Sequence, residues 1–369
     1  MSQKSINEKG VMMIVVIWIL AILSLMAIGL SRRMSVELAL TKYAMNKLKA
    51  RYIAEAGLQH ALAQIESDSK DQKTSSFDNF WQCGIHLQEN QSPETLFHKV
   101  VVNGGYFDVS YSTRPTANAK PVIMYGFQDE ERKINLNALD SQNNSILQEL
   151  LIIRGVDEKT ADSIVQAIMN WRIGDKNNLL TPPIADTSSP PDNMPKVEEG
   201  PGRLKFPYPL KGRAFDHIEE LLLIPGITPE IFKEMKDFVT VFPKNTANLR
   251  INFSTAPVEV LTAVARTVVG AQTNTTLQDG DSMVKELVAY RQGDDGIDGT
   301  KDDRVLEAEK IGFNSKESAI FMTMSKYMTM TSQFLRVKVT GTEQNSGTHF
   351  GLDTVVVRSD LSIAAWETQ

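Results

Sequence analysis

Lys9-Gly10 is followed at once by VMMIVVIWILAILSLMAIGL (Val11 to Leu30). Then comes SRRMSVELALTKYAMNKLKARYIAEAGLQHALAQIE (Ser31 to Glu66), and this combined stretch decides the fold. The first twenty of these residues carry no formal charge. At about 1.5 Å per helical residue they span roughly 30 Å, the thickness of a bilayer's hydrocarbon core. The remainder is rich in Ala, Glu, Leu and Lys, with no proline and a single glycine, Gly57. The reading is one helix over 11–66, apolar in its membrane part (11–30) and amphipathic beyond it. Three readings compete for the start. A secretory signal peptide fits poorly, because the apolar run is long and ends in Gly29-Leu30-Ser31-Arg32-Arg33 rather than at a small-residue cleavage site. A plain anchor is open, but Lys4 and Lys9 before the span and Arg32 and Arg33 after it leave its orientation unset. The third reading takes the polar segment 1–10 as a leader removed at Gly10-Val11.

Beyond the helix lie about 300 residues, enough for two or three domains. The chain has 369 residues, formal net charge −6 and one cysteine, Cys83. The acidic balance argues against a general nucleic-acid surface. A single cysteine excludes an intrachain disulfide and a sulfur-rich zinc site, and Cys83 reads as a small buried hydrophobe. The five histidines, His60, His86, His98, His217 and His349, stand singly, outside H-E-x-x-H spacing and away from any G-x-S-x-G elbow. No catalytic constellation emerges, so the expectation is a structural protein rather than an enzyme.

Residues 67–98 read as loop and short elements. KVVVNGGYFDVSYS (99–112) is two β-rich runs split by Asn103-Gly104-Gly105, a hairpin signal. Lys133-Ile134-Asn135-Leu136-Asn137 alternates apolar and polar and predicts a strand, and Arg250-Ile251-Asn252-Phe253-Ser254 echoes it. A second echo pairs Glu149-Leu150-Leu151-Ile152-Ile153-Arg154-Gly155-Val156 with Glu220-Leu221-Leu222-Leu223-Ile224-Pro225-Gly226-Ile227. Each copy ends a helix at glycine and starts another, whose apolar positions are Ala161, Ile164, Val165 and Ile168, and Ile231, Phe232, Met235 and Val239. Eight of the 15 prolines fall within 181–209, which predicts a long surface loop and a contact surface. Helices are expected near 257–269 and 281–292. Strands are expected over Gln333–Thr340, His349–Arg358 and Leu361–Trp366.

The Lys9-Gly10-Val11 junction resembles the site cut by prepilin peptidase, which would leave Val11 as a new, methylatable N-terminus. Pilin-like proteins mostly carry Glu at the fifth residue after the cut; this chain has Val15. The chain resembles the family that lacks this acid, protein K of the type II secretion system. Ala54-Glu55-Ala56-Gly57 matches the AEAG signature of that family and of PilX-like minor pilins. Asp129-Glu130-Glu131-Arg132 before the Ile134 strand, Asn170-Trp171-Arg172, and Arg250-Ile251-Asn252-Phe253-Ser254-Thr255-Ala256-Pro257 follow its motifs in order. Asp175 alone stands for the acids usual near Trp-Arg, and Ser254 replaces the usual Asn.

The resemblance implies an α+β fold: a pilin-like N-terminal helix and antiparallel sheet, interrupted by an inserted α domain of two SAM-like units. The expected parts are a leader 1–10, the pilin helix 11–66, the first part of the αβ domain 67–138, and helical units at 139–212 (with the proline-rich loop) and 213–270. The second part of the αβ domain would be 271–369. The implied role is a minor pseudopilin at the tip of the pseudopilus. It would be single-pass in the bacterial inner membrane with its bulk periplasmic, processed by prepilin peptidase, and would partner minor pseudopilins I and J to start or cap assembly.

Two further readings come from the residues. Leu-x-x-Ile224-Pro225-Gly226-Ile227-Thr228 is similar to a helix-hairpin-helix DNA element of a competence-type, membrane-anchored receptor. Asp157 and Thr228, however, stand where a second glycine would let backbone approach phosphate, and Asp157, Glu158 and Glu230 would repel it. A PilX-like type IV minor pilin is the other alternative. Asp294, Asp295, Asp298, Asp302 and Asp303, with Gly296 and Gly299 between them, supply closely spaced carboxylates for a Ca²⁺ site, which resembles calcium loops of pseudopilins. The competing reading is a solvated acidic turn.

Overall fold

In a computed structural model of the chain, residues 8–70, 91–113, 122–174, 210–246, 248–269 and 274–368 are described. Leader residues 1–7, Cys83, His86, Asp175 and the proline-rich stretch 181–209 lie outside them. Helix α1 is a single 63-residue element, Glu8–Lys70. Every side chain from Met12 to Met45 is exposed, and burial begins at Ala50. A short α2 (Pro93–Phe97) is capped by Ser92. The predicted hairpin follows as β1 (Val100–Val102) and β2 (Gly105–Thr113), turning on Asn103-Gly104. Gly104 has φ +88°, which explains the glycine there. β3 (Val122–Tyr125) and β4 (Gln128–Asp129) complete the first part.

The chain then leaves the sheet. β5 (Ile134–Asn135), α3 (Ser145–Ile153), α4 (Glu158–Ile173), α5 (Pro229–Met235) and β6 (Val239–Thr240) form one unit, closed by parallel pairing of β5 with β6. β7 (Ile251–Asn252), α6 (Val258–Val269), α7 (Leu277–Arg291), α8 (Ala308–Ile311), α9 (Ser315–Met324) and β8 (Met328–Thr329) form a second, closed by parallel pairing of β7 with β8. The repeat is chemical as well as topological. Asn135 Oδ1 accepts the Asn137 amide at 2.9 Å, and Asn252 Oδ1 accepts the Ser254 amide at 3.1 Å. Arg172, ending α4, donates to the Asn137 and Leu139 carbonyls at 2.7 and 2.6 Å. Arg291, ending α7, donates to the Phe253 and Ala256 carbonyls at 3.2 and 2.6 Å.

This corrects the expected unit boundaries. The helices around 277–324 do not belong to the sheet domain: Met283, Val284, Leu287, Ile320 and Met324 share one core with α3, α4 and α6. Ile134, Leu136 and Ala138 belong to that core too. The helical insert therefore occupies about 134–329, and its two units begin at Ile134 and Ile251 rather than at 139 and 213. Val239, expected on a helix, sits in β6.

β9 (Phe334–Glu343), β10 (His349–Val357) and β11 (Ile363–Thr368) return the chain to a seven-stranded sheet of order β1-β2-β9-β10-β11, with β3 beside β2 and β4 beside β9. All its pairings are antiparallel. The lower half of α1 lies across it, with Ala50, Ile53, Ala54, Leu58, Ala61 and Ile65 against Phe107, Val337, Val339 and Leu352. A Cβ at Gly57 would stand 2.6 Å from Val339 Cγ1, so the only residue type that permits this approach is the one present.

Gly174 and Gly212, both at positive φ, touch backbone to backbone, and the Gly212 amide donates to the Trp171 carbonyl at 3.0 Å. The segment between them thus starts and ends at one point. On the expectation from sequence that this stretch is a surface loop, replacing 176–209 by a short Gly/Ser linker should change the stability of the remaining chain by no more than about 0.5 kcal/mol. Circular dichroism melting of both chains in detergent checks this, and a loss of several kcal/mol would show that the segment packs on the fold.

Candidate functional site

Three places carry the functional candidates. The first is the upper part of α1. Among the described residues it is the helix long and apolar enough to cross a membrane, with an 18-residue window of mean hydropathy 2.9 and none of it buried. Gly10 and Val11, the predicted cleavage pair, lie inside the helix, and Val15 is 51% exposed. No acid occurs between Glu8 and Glu37. Position 15 therefore presents an exposed apolar side chain with no carboxylate to offer.

The second is the aspartate loop after α7. Asp298 is held by Arg291 (Nε 3.1 Å, Nη2 3.2 Å) and by Gln292 Nε2 at 3.2 Å. Asp302 accepts the Asp294 and Asp295 amides at 2.7 and 3.0 Å and the Thr300 hydroxyl at 2.6 Å. The hydroxyl and those amides hold its carboxyl down at about 2. Asp295 accepts the Ile297 amide (2.8 Å), Asp303 the Gly299 amide (2.9 Å), and Asp294 pairs with Arg304. Early and late aspartates approach one another through backbone amides, Asp302 taking those of Asp294 and Asp295. Among the described residues no three acidic, histidine or cysteine side chains gather as a metal-holding group.

The third place was missed as a site in the sequence, where Asp129-Glu130-Glu131 served only as part of a motif. All three are buried, at 5%, 1% and 8% exposure. Asp129 Oδ2 accepts Asn252 Nδ2 at 2.8 Å and the Thr255 hydroxyl at 2.6 Å, where the second unit opens. Glu130 accepts the Thr240 hydroxyl at 2.5 Å, on the closing strand of the first unit. It also pairs with Lys133 (3.2 Å) and with Arg336 of β9. Glu131 accepts the Ser332 hydroxyl at 3.0 Å and the Gln333 amide, where the chain re-enters the sheet. Burial pushes the Glu130 carboxyl up, but Lys133, Arg336 and Thr240 outweigh it and hold it at about 2. Burial dominates at Asp129 and Glu131, whose carboxyls are raised. The signal that could have found this node is three consecutive acids followed by two bases just before a buried strand.

The hairpins that resemble a DNA-binding element use their own amides. Asp157 accepts the Thr160 amide at 3.0 Å and Thr228 the Ile231 amide at 3.3 Å, each capping the helix that follows. These are amides a phosphate would need.

Comparison with known proteins bears on the first helical unit directly. Residues 132–244 match the family model described as type II secretion system (T2SS), protein K. The matched span opens two residues before β5 and closes four residues after β6, so its limits are those of the first repeat. The matched segment thus sits as the first of two units inserted in the sheet. Over the whole chain the fold is similar to a chain of the crystal structure entitled "The Crystal Structure of the GspK-GspI-GspJ complex from enterotoxigenic Escherichia coli Type 2 Secretion System". The TM-score is 0.56 at 12% identity, covering 89% of this chain and 99% of that one. A search of curated proteins returned no match.

Proposed function

We propose that this chain is a minor pseudopilin that starts or caps a type II secretion pseudopilus from its tip. The observation that carries the reading is the junction of α1 with the antiparallel sheet. An unbroken helix leaves a 20-residue apolar span that contains no acid and docks on an antiparallel sheet carrying a large helical head. A carboxylate at the fifth residue after the Gly10-Val11 junction would serve to meet a neighbouring subunit's N-terminal amine within lipid, where a lone charge is costly. Val15 removes that partner, which suits a subunit with none above it. The bulky head on the outer end of the stem suits the same position. On this reading the stem spans the inner membrane, the sheet and head are periplasmic, and the partners are pseudopilins of types I and J, the ones named with the similar solved chain.

The test is assembly. The part beginning near residue 34 should form a defined complex with the I- and J-type minor pseudopilins of its own system and no filaments alone. Regular filaments of this chain by itself, seen by electron microscopy, would overturn the tip position. Processing is checked separately. Membrane-extracted protein, made with prepilin peptidase present, should start at Val11 by intact mass, and a start near Ser31 would exclude the pilin-like leader.

Calcium at the 294–303 loop belongs to the same proposal and is supported by the spacing of its aspartates. A cation there has to displace Arg304 from Asp294 and draw Asp295 and Asp303 inward. Binding the folded state alone stabilises it by about 2.7 kcal/mol at a hundredfold excess over Kd. The melting temperature should rise in millimolar Ca²⁺ relative to chelator, and Asp295→Ala should remove the difference. Asp298 is a poor test position because it serves Arg291. Equal melting in calcium and chelator would leave the loop as a turn closed by its own hydrogen bonds.

A further inference from the structure

Three consecutive side chains reach three different parts of the chain: Asp129 the start of the second unit, Glu130 the end of the first unit and β9, Glu131 the re-entry into the sheet. We propose that this triad is a joint that makes the two helical units and the pilin sheet unfold as one body. Backbone bonds run the same way: the Glu130 amide donates to the Phe334 carbonyl at 2.9 Å and the Asn252 amide to the Glu131 carbonyl at 2.8 Å.

The physical reason is the asymmetry of buried charge. A desolvated carboxylate with its donors in place contributes little net stability, but one that loses a donor is strongly penalised. If the first unit opens alone, Thr240 leaves Glu130. If the second opens alone, Asn252 and Thr255 leave Asp129. If β9 leaves, Glu130 loses Arg336. Each partial opening strands a buried charge that the complete fold satisfies, so partial openings cost more than their own contacts.

Elsewhere the contact between sheet and head is thin. A cleft of about 1050 Å³ runs between them, walled by Arg154, Glu234 and Glu259 on the head and by Lys338, Asp353 and Glu367 on the sheet. Apolar contact across is confined to residues such as Phe334, Val355 and Ala365. His217 and Glu367 face one another at 3.8 Å with both side chains largely exposed, a geometry that contributes little. The two helical units share one core, so it is between the sheet and the head that the joint carries coupling that packing does not supply.

The experiment is hydrogen exchange read by mass spectrometry on the full chain in detergent micelles, across a guanidinium series. Peptides from α4, α7 and β10 report the first unit, the second unit and the sheet. The unchanged chain should show one common midpoint for all three. Glu130→Gln should split them, with α4 opening at lower denaturant than β10. Thr240→Val, which removes only the hydroxyl that donates to Glu130, should split them in the same order by a smaller interval. It decides the matter if Glu130→Gln fails to fold. Separate midpoints in the unchanged chain, or variants in which all three regions shift together, would overturn the joint and leave the triad as ordinary core polarity.

Discussion

Gly341→Val should be among the most damaging single changes in the chain, costing at least about 3 kcal/mol of stability, in the range of backbone clashes that no rotamer relieves. Gly341 lies on β9 under α1. A Cβ there would come within 3.0 Å of the Ala50 carbonyl oxygen and the Ala54 amide nitrogen, which are helix backbone and cannot turn aside. Ala50 and Ala54 are fully buried. To admit a side chain, α1 has to lift from the sheet and pull Leu58 and Ile65 away from their core. Denaturant unfolding of the full chain in detergent measures this. A midpoint equal to that of the unchanged chain would mean that helix and sheet are not in contact as described.

Arg358→Met should cost about 3–5 kcal/mol, the usual size of a broken buried ion pair. Arg358 and Asp68 pair at the far end of α1, with their side chains 5% and 1% exposed. The arginine also donates to the Ser332 carbonyl at 3.2 Å. The change leaves a carboxylate in the core without its countercharge. The double variant Asp68→Leu/Arg358→Met should recover a large part of the loss, because it removes the stranded charge as well. If single and double variants are equally unstable, the pair does not act as a unit, and the loss lies in the arginine's carbonyl contact.

How far the sequence could be read depended on whether a signal was local. The stem was legible because twenty uncharged residues and the small residues of Ala54-Glu55-Ala56-Gly57 act where they stand: Ala54 and Gly57 face the sheet while Ala56 points outward. The Asn-Gly hairpin and the three closing strands were legible for the same reason. The extent of the helical insert was not. The echo at Leu150 and Leu221 reflects two short helical segments, each followed by a glycine at positive φ, Gly155 and Gly226. That signal recurs inside one unit. The true repeat is marked by Ile134-Asn135 and Ile251-Asn252, whose meaning depends on distant carbonyls and parallel partners that periodicity does not reveal. The aspartate loop was found by composition, but its arginine and amide partners, which decide its geometry, come from tertiary placement.

β4 and β9 are neighbours in the sheet, with Asp129 opposite Leu335, yet about 200 residues separate them along the chain. A ribosome adding about 5–20 residues per second needs on the order of 10–40 s to make that interval. During this time α1 has already emerged, and the strand on which Ala50 and Ala54 rest has not been made. The head, whose contacts fall within its own stretch of chain, is complete first. Phe107 on β2 can meet the stem early, but the part of its cover supplied by Val337, Val339 and Leu352 is completed only when the C-terminal strands arrive.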